Sequence, residues 1–220
     1  MATQYANSQI VTNGLVLALD AADKNSYVGS GTTWTDLSGN GNTGTLVNSP
    51  TFNSGNQGSL VFNGTTQYAS FTTAPIITVG STSIWFNTSN AGSSYRALIN
   101  RSQSWGLFLL DNILVTYDWG NNLNRTTNLN VATGTWQNAV LTFSEITGTP
   151  SNNAIIYLNG TSVLTTTIKN SSPLAFQIAA QNAGQTFSGN IANAQVYNRV
   201  LSATEVAQNY NALKSRFNLK

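Results

Sequence analysis

The 220-residue chain has neither Cys nor His, which excludes disulfides, thiolate or imidazole metal sites and any catalytic triad that routes a proton through imidazole. Only 7% of its residues are charged, against roughly 25% in ordinary soluble domains, while 40% are hydrophobic; such a chain folds and covers its surface with Asn, Thr, Ser and Gly. Its net charge of +2, with no run of Lys or Arg, leaves no footprint for nucleic acid.

Residues 1–13 show no hydrophobic period and read as an N-terminal arm. They lack the basic segment followed by an apolar one that makes a secretory signal, and no stretch reaches the roughly 18 apolar residues of a membrane helix. From residue 14 onward, short alternating runs recur between Gly/Asn/Ser/Thr clusters, at 15–19, 60–62, 83–86, 97–99, 107–110, 113–117, 139–143, 155–158, 163–168 and 192–196. Period-two alternation of this kind is the mark of half-buried strands. Asn159-Gly160, between two such runs, supplies the positive φ values of a tight two-residue hairpin turn. Asp111-Asn112 marks a second hairpin by a weaker signal.

One helix is expected near the end, where Ser202-Ala203-Thr204-Glu205 forms a capping box and Val206, Tyr210 and Leu213 recur at helical spacing. No repeat, linker or charge block divides the chain, so residues 14–220 read as one domain. Many short strands with no alternating helices predict an all-β, two-sheet antiparallel jelly-roll sandwich with one short C-terminal helix.

Several segments carry a resemblance. They are Gly14-Leu15-Val16-Leu17-Ala18-Leu19-Asp20, Thr33-Trp34-Thr35-Asp36-Leu37-Ser38-Gly39-Asn40-Gly41-Asn42, Ser59-Leu60-Val61-Phe62-Asn63-Gly64, Tyr157-Leu158-Asn159-Gly160, Phe187-Ser188-Gly189-Asn190-Ile191 and Tyr197-Asn198-Arg199-Val200-Leu201-Ser202, together with Trp136. Through them the chain resembles the laminin-G-like jelly-roll domains of the concanavalin A-like lectin/glucanase superfamily, over nearly its whole length. The resemblance implies that the first strand lies beside the last, and that Trp136, on a strand, and the Phe before Gly189 fill the space between the sheets. Many relatives carry Asp where this chain has Asn63 and Gln67, and neutral amides weaken a calcium site. No cofactor is therefore expected, with Asp20, Asp23 and Asp36 left as the remaining oxygen ligands for calcium.

Because the superfamily includes glucanases, the carboxylates need attention. Glycoside hydrolysis requires a pair roughly 5–9.5 Å apart. The seven acids are scattered: Asp111 and Asp118 stand at the two ends of a hairpin strand, and Glu205 belongs to its cap. Only Asp20 and Asp23 are close in sequence, and a strand ending in a turn explains them, so no catalysis is expected.

Binding is the better-supported role. Tyr117-Asp118-Trp119-Gly120-Asn121 sets aromatics at a strand end beside amides, the combination that stacks on sugar rings and reads their hydroxyls. Trp105, Tyr117, Trp119, Asn121 and Arg125 are the candidate carbohydrate-binding residues; packing within the core or on the sheet is the competing explanation for the aromatics. The resemblance, the closing helix and the absence of an export signal point to a bacteriophage virion component made in the host cytoplasm. Head decoration, fibre and tail-associated roles are all compatible, with other virion proteins and host-surface glycans as partners, no membrane insertion and a homo-oligomeric state. The alternative is a free carbohydrate-binding or adhesive lectin-like module.

Overall fold

The computed structural model describes residues 9–73, 75–89, 94–182 and 184–220. In chain order its strands are β1 (Leu15–Asp20), β2 (Thr33–Trp34), β3 (Gly44–Val47), β4 (Thr51–Asn53), β5 (Ser59–Asn63), β6 (Tyr68–Ser70), β7 (Gly80–Thr88) and β8 (Arg96–Arg101). There follow β9 (Trp105–Leu110), β10 (Ile113–Asp118), β11 (Leu123–Asn130), β12 (Gln137–Phe143), β13 (Ala154–Leu158), β14 (Thr161–Thr166), β15 (Phe176–Ile178) and β16 (Ser188–Tyr197). Helix α1 (Ala203–Leu213) runs into a 3₁₀ turn at Lys214–Phe217.

The strands form two antiparallel sheets. One has the order β14-β13-β12-β7-β16-β5-β4 with β1 also paired to β16, and the other runs β11-β10-β9-β8-β15-β6-β3-β2. Because alternate side chains on a strand point to opposite faces, each sheet turns one apolar set inward. Leu17, Leu19, Ile84, Phe86, Leu141, Phe143, Ala194 and Val196 from the first sheet meet Leu98, Trp105, Leu107, Leu109, Phe176 and Ile178 from the second. This expected sandwich, with its single C-terminal helix, is the architecture observed.

The chain's two ends join in register as the resemblance implied, with Leu17 opposite Val196 and Asp20 opposite Asn193. Both hairpins form: Asn159 and Gly160 have φ of 51° and 79°, and Asp111 and Asn112 have 50° and 64°. The second turn achieves the left-handed pair without glycine, which Asp and Asn tolerate better than other residues. Ser202 accepts from the Glu205 N–H while Glu205 accepts from the Ser202 N–H, completing the capping box.

Phe187 lies in the inter-sheet core, but Trp136 does not. Trp136 precedes β12 and sits outside the first sheet, with its ring 4.5 Å from Phe217 and its indole N–H donating to Asn56. The 3₁₀ turn draws it there by offering an apolar partner beyond the helix.

Residues 1–8 of the expected arm lie outside the described residues, whereas 9–13 are bound to the domain. Val11 N–H donates to Asn209, the Val11 carbonyl accepts from Tyr197 Oη, and Gln208 donates to the Gln9 carbonyl. The segment 36–42 covers the edge of β1. Asp36 accepts from the Ala18 N–H, Leu37 N–H donates to the Ala18 carbonyl, and Asn42 Nδ2 donates to the Val16 carbonyl. A side-chain and loop cover of this kind satisfies backbone groups that an exposed edge strand leaves open.

Candidate functional site

The outer face of the second sheet carries an aromatic cluster. On β9, Trp105, Leu107 and Leu109 point inward, which sends Phe108 outward between Ala97 on β8 and Val115 on β10. The same alternation on β10 sends Tyr117 outward, and Trp119, just past its end, joins it. Tyr95, immediately before β8, reaches in from the other side. The rings meet edge to face in a closed cycle: Tyr95 to Phe108 at 6.1 Å, Phe108 to Trp119 at 5.9 Å, Trp119 to Tyr117 at 5.3 Å and Tyr117 to Tyr95 at 6.4 Å. Each such contact holds its rings in a preferred quadrupole geometry.

These rings and the amides of Asn122, Gln181 and Gln185 line a shallow depression of about 320 Å³. The Tyr117 hydroxyl donates to Asn122 Oδ1. Gln181 and Gln185 belong to the loop after β15, which is attached to β8 by the Ala97 N–H donating to the Gln185 carbonyl. The Tyr95 hydroxyl has no hydrogen-bond partner among the described residues. Burial, with Tyr117 alongside, pushes its pKa up to about 12, so it stays a neutral donor. The arrangement offers apolar ring surface with neutral amides at the rim, which suits a neutral polar ligand with an apolar face.

Of the residues expected from sequence, Tyr117 and Trp119 lie in this cluster. Trp105 does not: it is fully buried between the sheets, its ring 5.7 Å from those of Phe143 and Phe176, and no face is left for a sugar. Arg125 is paired across from Thr116, so it lies on the inward side of β10, opposite Tyr117. It forms a 2.6 Å ion pair with the buried Asp118 and donates through Nε to the Thr167 carbonyl. Asn121 also donates to Asp118, whose other oxygen accepts from the Lys169 N–H. Arg125 and Asn121 therefore fasten the β10–β11 end to the segment after β14 rather than face the depression. Sequence reasoning missed Tyr95, Phe108, Asn122, Gln181 and Gln185.

The residues considered for calcium do not fit an ion. Asn63 Oδ1 accepts from the N–H groups of Thr65, Thr66 and Gln67, and Gln67 Nε2 donates to the Asn48 and Ser49 carbonyls. The Asp36 carboxylate accepts from Ala18, Ser38 and Asn42, Asp23 accepts from Asn25, and Asp20 is paired with Arg216 at 2.8 Å. These oxygens are already bonded to protein donors. No group of three or more acidic side chains that could hold a metal occurs among the described residues.

With the sandwich and its outer-face cluster in place, comparison with known proteins is direct. Residues 63–207, well over half of the chain, match the profile of the concanavalin A-like lectin/glucanases superfamily. The chain belongs to that superfamily. No curated protein sequence matches it. Among solved members of this architecture, domain 4 of AbnA, a GH43 extracellular arabinanase from Geobacillus stearothermophilus solved in complex with arabinotriose, superposes with a TM-score of 0.68 at 15% identity, covering 89% of this chain and 98% of that one. The binding domain of Paraclostridial Mosquitocidal Protein 1 gives 0.68 at 18% identity, covering 91% of this chain but only 52% of that one. Trypanosoma rangeli sialidase also gives 0.68, at 14% identity, with 37% of its own length covered. At these identities the likeness establishes the superfamily fold and nothing about ligand or chemistry.

Proposed function

We propose that this superfamily member is a non-catalytic carbohydrate-binding module whose ligand lies on the aromatic outer face of the second sheet. The observation that carries the reading is the cycle of Tyr95, Phe108, Tyr117 and Trp119, in which the two tyrosines and the tryptophan are half-buried and amides form the rim. Sugars present an apolar ring face and a belt of hydroxyls, which these groups match. Two of the structural relatives add consistency, one being a domain solved with an oligosaccharide and the other a binding domain. A glycan array probed with the wild-type chain and with Trp119→Ala tests it: binding that the substitution abolishes is expected, and an array with no binding overturns the reading.

The non-catalytic part rests on the carboxylates. Asp20, Asp36, Asp118 and Glu205 are each engaged in an ion pair or a set of backbone donors. Polysaccharide hydrolysis by the wild type that disappears in both Asp20→Asn and Asp23→Asn would overturn it.

The finer reading is a bacteriophage virion component, a head-decoration, fibre or tail-associated protein that assembles as a homo-oligomer with other virion proteins. It is favoured by the weakly charged, amide-rich surface and by the sequence resemblance. Among the described residues no helix is long and apolar enough to cross a membrane. Mass spectrometry of purified virions tests the assignment, and virions lacking the chain exclude it.

A further inference from the structure

A second concavity lies on the opposite side of the molecule, beneath helix α1. On the outer face of the first sheet, Asp20 stands opposite Asn193 and Ala18 opposite Gln195. The three polar side chains form the floor of a cleft of about 210 Å³, walled by Ile10, Leu15, Leu37 and Leu213. Asn193 and Gln195 are only 5% and 1% exposed, yet Asn193 Oδ1 and Gln195 Nε2 have no hydrogen-bond partner among the described residues. Buried amides almost always find partners, so two such atoms in one cleft mark a place where a partner belongs.

The rest of the floor is committed. Asp20 accepts from Arg216 and from the Ala22 N–H, and Gln195 Oε1 accepts from Tyr197 Oη. The carboxylate is neutralised by its guanidinium, so the cleft favours neither a cation nor an anion. It needs a group that donates to Asn193 and accepts from Gln195. A hydroxyl does both, giving its one proton to Asn193 Oδ1 and accepting from Gln195 Nε2 on an oxygen lone pair. The apolar walls suit carbon-bound hydrogens. A volume below the ~300–1,000 Å³ of drug-sized sites limits the occupant to one small ring or chain.

We infer that this cleft is a binding site for a neutral hydroxylated molecule the size of a single sugar residue or smaller polyol, separate from the aromatic face. Ala18 leaves the space open, because a larger side chain opposite Gln195 would project into the cleft.

The test is a titration of the ¹⁵N-labelled full chain with glycerol, D-glucose, D-galactose and L-arabinose, following the side-chain amides of Asn193 and Gln195. Saturable shifts of these amides with at least one probe are expected. Ala18→Val should weaken that binding about tenfold or more while Trp119→Ala leaves it unchanged. If Ala18→Val fails to fold, Gln195→Met, which keeps the volume and removes the free amide, provides the same readout through Asn193. Absence of saturable shifts with every probe overturns the proposal, as does binding that Trp119→Ala abolishes and Gln195→Met leaves intact. Either result stands apart from the aromatic face, on which only the change in array binding caused by Trp119→Ala reports.

Discussion

Both sheets carry an aromatic cluster on the outer face, and the two have opposite fates. On the first sheet Trp85 is stacked against Tyr210 at 5.5 Å and Phe217 at 4.4 Å, so helix α1 and its 3₁₀ extension bury it to 1% exposure. On the second sheet Tyr95, Tyr117 and Trp119 pack against one another and Phe108, no helix among the described residues is laid over them, and they remain half-buried. The covered cluster has an anchor that the other lacks: Arg216, itself buried, pairs with Asp20 and donates to the carbonyls of Asn56 and Gly58, fixing the extension on the sheet. One cluster thus ties the C-terminal segment to the sheet, while the other is the face proposed above to meet a ligand. The difference comes from the C-terminal segment laid over the first sheet, not from the strands themselves.

Removing the anchor should produce the largest effect. Arg216→Ala leaves Asp20 buried without its partner and is expected to cost about 3–5 kcal/mol, the usual penalty for breaking a buried pair from one side. Guanidinium unfolding measures it, and a loss under about 1 kcal/mol would show that the extension does not depend on this contact. Next, Phe217→Ala should cost about 3 kcal/mol by stripping the lid from Trp85. Its counterpart on the open face, Trp119→Ala, is expected to cost about 1 kcal/mol or less while lowering glycan affinity at least about tenfold. Equal stability losses from these two substitutions would erase the distinction between the faces.

The smallest effect concerns the start of the helix. Hydrogen bonds from Arg199 and from the Ser202 N–H hold the Glu205 carboxyl down to about 2, against an ordinary value of 4.5. Since the folded pKa is the lower one, this contribution is fully present above pH 4.5 and disappears as pH falls through about 2. Both side chains of the pair are partly solvated, so the contribution is about 1 kcal/mol at most. Urea titrations of wild type and Glu205→Gln at pH 7 and pH 2 should differ at the first and converge at the second.

The sandwich was legible because apolar alternation and turn chemistry are local signals, as at Asn159-Gly160. Strands without that alternation were not legible. Leu123–Asn130 reads LNRTTNLN and is exposed along most of its length, since it is an edge strand held mainly by pairing to β10. The candidate site was half legible for a related reason. Tyr117 and Trp119 are two residues apart, so their shared face follows from the period of a strand. Phe108 and Tyr95 join them through inter-strand register, which no local pattern states. Register also decides against Arg125: opposite Thr116, it falls on the inward side. Trp105 was the avoidable error, because it shares parity with Leu107 and Leu109, and a strand whose longest apolar set faces the core takes its Trp along.

The docking of residues 9–13 along helix α1 has a consequence for presentation. Ile10 and Leu219 belong to the same apolar cluster on the helix-covered side, so both tails of the fold leave from that side. The first and last described segments thus lie on the side of the sandwich away from Trp119, as a bracket sits behind a mounted sensor.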